Sequence, residues 1–117
     1  MDAAKKTEVV KKYITAINTD NIELIKEIYA DNATVEDPVG SPQKEGIDAI
    51  VSFYNSFFGT GVKLELVGSV RCAGNAAAFP FHAAMGPTKL EVIDVFEFNN
   101  EGKVVSMKAY WGMENRI

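Results

Sequence analysis

Cysteine and histidine each occur once in this 117-residue chain, as Cys72 and His82. A lone cysteine excludes an intrachain disulfide and a cysteine-built metal site, and agrees with a reducing, cytoplasmic setting. A lone histidine excludes a multi-histidine metal site, and any Ser-His-Asp or Cys-His catalytic set would have to use His82. Basic stripes are also missing. Lys and Arg number 12 against 16 Asp and Glu, giving a formal net charge of −4 and a pI near 5.0. That balance disfavours nucleic acid and anionic membrane as partners, and favours a ligand that is neutral or held by shape. No apolar run is long enough to span a bilayer, and Met1–Lys6 reads as the start of a polar helix rather than a signal peptide. With no linker, repeat or low-complexity segment, one domain over residues 1–117 is expected.

What the chain does have is 47% hydrophobic residues, enough for a sizeable core. The spacing of Val10, Tyr13, Ile14 and Ile17 predicts a helix over about Asp2 to Asn18, with Lys5, Lys6, Lys11 and Lys12 mostly on its far side. Asp20 and Glu23 make a capping-box-like start for a second helix that turns Ile22, Ile25 and Tyr29 inward. A short strand through Ala33–Asp37 ends at Pro38 and Gly40. A third helix is expected from about Lys44 to Phe58, with Ile47, Ile50, Val51, Tyr54 and Phe58 inward. After Gly59-Thr60-Gly61 the period becomes two. Strands are expected over Val62–Leu66, Ala76–Met85, Thr88–Phe98 and Lys103–Gly112, separated by turns at Gly74-Asn75, Gly86-Pro87 and Asn99–Gly102. Three helices followed by a four-strand antiparallel meander is an α+β layout, in which a curved sheet wrapped over the helices encloses an apolar pocket.

Alternation sends polar groups into that interior. Val35 and Asp37 share a strand face. Asp94 shares one with Leu90, Val92, Phe96 and Phe98, and its neighbours in Val92-Ile93-Asp94-Val95-Phe96 are all apolar. Tyr13, Tyr29 and Tyr54 enter from the helices. Desolvation favours the neutral form of a carboxyl, so Asp94 becomes a hydrogen-bond donor beside Tyr13, while Asp37, next to a polar turn, stays ionised and accepts a proton. Two donors and a base in a greasy pocket, without metal or cofactor, suit removal of a proton alpha to a carbonyl and its return elsewhere, an isomerisation. Plainer readings stand beside this one. An inward tyrosine is more often a core residue, and Asp37 before Pro38 also fits a turn-forming aspartate. His82 falls on the outer sheet face, and Cys72 reads as a small apolar filler. Ile93, Val95 and Tyr110 make that outer face apolar enough for a dimer surface.

At these residues the chain resembles the steroid delta-isomerases (ketosteroid isomerases) of the NTF2-like superfamily. Val9–Asn18 is similar to the helix carrying the family's oxyanion-hole tyrosine, Ala33–Ser41 to the segment with its general base, Val92–Phe96 to the strand with its protonated aspartic acid, and Val104–Trp111 to its last strand. The resemblance implies an NTF2-like cone, Tyr13, Asp37 and Asp94 as catalytic residues, and Tyr29 and Tyr54 as hydrogen-bonding support. It implies a pocket wall of Ile17, Phe53, Phe79, Phe81, Met85, Leu90, Val92, Met107 and Trp111. It also implies a homodimer, no cofactor, and a 3-oxosteroid whose 5,6 double bond moves to the 4,5 position. The family is itself the standard example of a second aspartate kept neutral, so that division of roles belongs to the resemblance. The chain departs from the family in a shorter Met85–Leu90 hairpin, the small pair Ala83-Ala84 and an early C-terminus, all of which bear on the substrate more than on the chemistry.

Two other classes remain open: a non-catalytic binder of small hydrophobes on the same scaffold, and a related hydrolase, dehydratase or cyclase. A mere binder has no need of two inward carboxyls. The epoxide hydrolases of this fold need an Asp-Arg-Asp set in which Arg71 has no evident place, and the dehydratases need an inward histidine, which His82 is not.

Overall fold

In the computed structural model, which describes residues 1–117, the first helix begins where a short acidic side chain takes an orphan amide. Asp2 accepts from the Lys5 N–H at 2.9 Å, and α1 runs Ala3–Asn18. Its buried stripe includes Val10, Tyr13, Ala16 and Ile17. Lys6 departs from the expected polar face. It is buried, and its Nζ donates to the Gly74 carbonyl, so the stem fills apolar space while the charge finds an acceptor. Helix α2 (Ile22–Ile28) is capped by Asn21, which accepts from the Leu24 N–H at 3.2 Å; Asp20 instead takes a left-handed conformation (φ 52°). Tyr29, expected on this helix, is the first residue of β1 (Tyr29–Glu36) and is buried from there. The third helix is shorter than its periodicity predicts. Lys44–Glu45 form a strand, β2, paired with Val35 and Thr34, and α3 covers only Ile47–Asn55. Gly46 makes the corner between them at φ +87°, where a side chain would be strained.

The remaining strands are β3 (Lys63–Leu66), β4 (Arg71–Ala73), β5 (Ala76–Met85), β6 (Thr88–Phe98) and β7 (Val104–Tyr110). β5 and β6 have the limits that alternation predicts. Gly86, at φ +61°, closes their two-residue hairpin. The three-residue β4 carries no usable period. The sheet is more than an antiparallel meander. Its order is β2-β1-β7-β6-β5-β3, β4 also pairs β5, and β1 lies parallel to β7. Three helices packed on a mixed, mostly antiparallel sheet make the α+β class expected from the sequence. One register shift alters β7. Opposite Glu97 and Phe98 the ladder slips, so Val104 rather than Val105 is fully buried.

One row of cross-strand partners divides the interior. Phe79 on β5 pairs with Asp94 on β6, and Asp94 with Ala109 on β7. On one side of the row the space is filled. Phe96 there meets Phe79, Tyr13 and Tyr29 with ring centroids 5.0, 5.1 and 6.3 Å apart. Burying such a side chain contributes about 1.5–3 kcal/mol. On the other side, Phe81, Val92 and Trp111 border a cavity instead of a filled core.

Candidate active site

The dividing row also fixes where the two aspartates sit. Val35 pairs with Met107 and Glu36 with Lys108. The next residue, Asp37, therefore comes opposite Ala109, whose other partner is Asp94. The Val39 N–H donates to the Ala109 carbonyl at 2.8 Å and holds the chain in that position. Two strand spacings, about 10 Å, separate the two aspartate backbones, with the small, buried Ala109 between them. Other groups make the turn that follows. Gly40 N–H donates to the Glu36 carboxylate at 2.6 Å, and Ser41 Oγ to the Pro38 carbonyl at 2.7 Å. Glu36 thus fills the turn role that the sequence leaves open for Asp37. Asp37 turns to the cavity, where Trp111 Nε1 donates to its Oδ1 at 2.7 Å.

Asp94 is only 1% exposed, and its Oδ1 has no hydrogen-bond partner. Burial pushes its carboxyl well above the ordinary carboxylate range, and negative charge on Asp37 adds to the shift. Asp37 is half-buried, less polar surroundings than its turn context predicts. Burial raises its carboxyl too, but the Trp111 hydrogen bond and the Lys44 cation pull it back. Two carboxyls in one cavity are thereby set apart, with Asp94 the one that keeps its proton longer.

Tyr13 is buried against Phe79 and Phe96 while its ring lines the cavity. Its hydroxyl meets the Tyr54 hydroxyl at 3.0 Å, and Tyr54 meets Tyr29 at 2.7 Å, a chain of three buried phenols. Burial raises the pKa of all three well above that of an ordinary tyrosine; for Tyr13 the Tyr54 hydrogen bond works the other way.

The cavity measures about 420 Å³, and 13 of its 17 lining residues are hydrophobic. That is within the roughly 300–1,000 Å³ usual for small-molecule sites. Of the expected wall, Ile17, Phe53, Phe81, Met85, Leu90, Val92 and Trp111 line it. Phe79 and Met107 do not. Both are buried in the core, Phe79 in the dividing row beneath Tyr13 and Met107 on the filled side, paired with Val35 and Phe96. The resemblance implies both for the wall, and alternation gives each an inward face but not its depth along the strand. Residues missed were Phe57, Val62, Leu64, Ala83, Thr88, Met113 and Arg116. Val62 and Leu64 were readable from the alternation of β3. Met113 and Arg116 come from a short 3-10 turn (Met113–Asn115) and a bridge between Arg116 and Leu90, neither of which has a local sequence signal. His82 pairs with Glu65 and Glu91 and lies outside the cavity lining, and exposed Arg71 donates to the Ser69 carbonyl.

A carboxyl raised in the folded state carries a definite sign. Unfolded, Asp94 loses its proton near an ordinary pKa of about 3.9; folded, it keeps it to higher pH. Stability from this group is therefore full below that value and is lost as pH rises through the folded pKa. In Asp94→Asn no proton is at stake. Urea unfolding of both proteins across this range should show the stability difference moving in the variant's favour as pH rises, whereas a pH-independent difference would mean that Asp94 ionises normally.

Comparison with known proteins agrees with this architecture. The family model described as a SnoaL-like domain matches residues 10–107. A steroid Delta-isomerase of Nocardioides simplex is 34% identical over 113 residues, covering 93% of this chain and 91% of that protein. Among solved structures, the epoxide hydrolase/cyclase-like enzyme SalBIII, described as having a role in pyran ring formation in the polyether salinomycin, aligns with a TM-score of 0.91 and 33% identity over 98% of this chain and 96% of that one. By sequence and by fold alike, the chain belongs to the SnoaL-like (NTF2-like) family.

Proposed function

We propose that the protein is a steroid delta-isomerase that moves the double bond of a 3-oxo-5-ene steroid into conjugation without a cofactor. The observation that carries this reading is the buried Asp94 carboxyl, without a protein partner, lining the same apolar cavity as Tyr13 and Asp37. The similarity to a steroid Delta-isomerase supports it. Asp37 takes a proton from C4. The electron pair moves into the C3–C4 bond, and the carbonyl π electrons settle on the C3 oxygen, giving a dienolate. Tyr13 and the protonated Asp94 hydrogen-bond that oxygen, and Asp37 returns the proton at C6. For Tyr13 to donate to the substrate it must accept from Tyr54, and Tyr54 from Tyr29, a direction that the 3.0 and 2.7 Å contacts allow. The Trp111 hydrogen bond holds Asp37 in place between its two tasks.

A second reading has its own support in the similarity to SalBIII. A base and a neutral acid lining one cavity also suit ring closure of a hydroxy-epoxide. Asp37 takes the hydroxyl proton, the oxygen attacks an epoxide carbon, the C–O bond breaks, and the Asp94 proton passes to the departing oxygen. An Asp-Arg-Asp water-activating set is not formed. Arg116 lines the cavity but bridges Leu90, four residues along β6 from Asp94, about 13 Å at strand spacing.

The outer sheet face supports a homodimer. Ile93 and Tyr110 are cross-strand partners there, and are 49% and 48% exposed. We expect sedimentation to show a dimer, and Ile93→Lys a monomer; a monomeric wild type would remove this part of the proposal.

The activity is tested by following the ultraviolet absorbance of the conjugated enone from a 5-ene-3-oxosteroid. Asp37→Asn should lose roughly a thousandfold in kcat while still binding steroid. Tyr13→Phe or Asp94→Asn alone should lose roughly a hundredfold, since one donor survives each change. No enone above the buffer rate, with turnover of a hydroxy-epoxide instead, would replace this reading with the second.

A further inference from the structure

The cavity has a polar pair that the proton transfer does not use. Its four lining residues that are neither apolar nor tyrosine fall into two sets: Asp37 and Asp94 inside, and Thr88 and Arg116 at the rim. Thr88 opens β6 beside the Gly86 turn, and Asp94 lies six residues further along the same strand. At about 3.3 Å per residue the rim pair lies roughly 13 to 20 Å along the strand from Asp94, with Leu90, which Arg116 bridges, at the nearer end and Thr88 at the farther, and with apolar wall between.

The backbone of Arg116 is held in place. It bridges Leu90, and the Ile117 N–H donates to the Lys89 carbonyl at 2.9 Å. The guanidinium has no ionic partner: the chain's two side-chain ion pairs are Lys12–Glu27 and Lys26–Glu23. Glu114, the acidic side chain nearest to it in sequence, folds its carboxylate back over Gly112. An unpaired arginine at the mouth of a largely apolar cavity creates a local field opposite to the chain's net charge of −4.

We propose that Arg116, with Thr88 beside it, forms a distal subsite for an anionic oxygen group, so that the preferred ligand is a rigid hydrophobe with a carbonyl at its inner end and a carboxylate at its outer end. Arginine presents a fork of donors that matches a carboxylate, and the threonine hydroxyl adds one more. This inference rests on the steroid reading for the shape of the ligand but not for the chemistry. Arg116 is a specificity residue, about 13 Å of strand away from the buried acid.

Trp111 is the only tryptophan and lines the cavity, so its fluorescence reports occupancy without turnover. The test titrates the protein with 3-oxo-4-androstene-17β-carboxylate and with its methyl ester. The acid should bind roughly three- to tenfold more tightly than the ester, as expected for a partly solvated charge pair, and the preference should shrink at high salt. Arg116→Gln should abolish it, and Arg116→Lys should keep part of it. Equal binding of acid and ester by the wild type, or a preference that survives Arg116→Gln, would overturn the inference. The isomerase reading fails separately. A protein that tells acid from ester through Arg116 but makes no enone keeps this subsite, and one that isomerises without discriminating loses it.

Discussion

An ionised carboxylate without partners cannot be kept at the floor of an apolar cavity at acceptable cost. Asp94 is in that position, and much of the site's character follows from it. The group keeps its proton beyond the range where ordinary carboxylates lose theirs, which turns an acceptor into a donor. It also makes a second carboxyl tolerable nearby, because Asp37 then faces a neutral neighbour rather than a like charge. The Trp111 hydrogen bond and the Lys44 cation favour charge on Asp37, while nothing comparable does so on Asp94. The two aspartates differ in chemistry because they differ in surroundings.

The sheet supplies the geometry. β7 lies between β1 and β6, so a residue just past the end of β1 and one in the middle of β6 face each other across a single strand. Ala109 is the residue between them, and its small side chain leaves the space open. On the filled side of that row, Phe96, Phe79 and the tyrosine chain form a rigid backing for the Tyr13 hydroxyl. On the open side the strands continue to a rim where Thr88 and Arg116 are the polar groups.

Much of this was legible in the sequence because period and chemistry disagreed at a few positions. Asp94 sits in a strand whose inward neighbours are all apolar, and no surface reading fits it. β5 and β6 were readable end to end because their alternation runs unbroken between turn signals. What was not legible depends on long-range pairing. The parallel contact of β1 with β7 gives no local pattern, yet it brings Asp37 opposite Ala109. The apolar spacing from Ile47 onward does not mark where the helix begins, and the pairing of Lys44 and Glu45 with Val35 and Thr34 makes β2 of residues that the spacing leaves in the helix. Phe79 and Met107 have the right face but the wrong depth. Arg116 comes to the rim through one bridge to Leu90, which no spacing rule anticipates.

The site depends above all on Asp94 being a neutral acid in the folded protein. Carbon NMR of the aspartate side-chain carboxyls, followed through a pH titration, tests it without assuming any substrate. The Asp94 resonance should keep its protonated position after the exposed aspartates have titrated. An Asp94 resonance that titrates together with them, near the ordinary value of about 3.9, would show that Asp94 is an ordinary ionised carboxylate and not a donor.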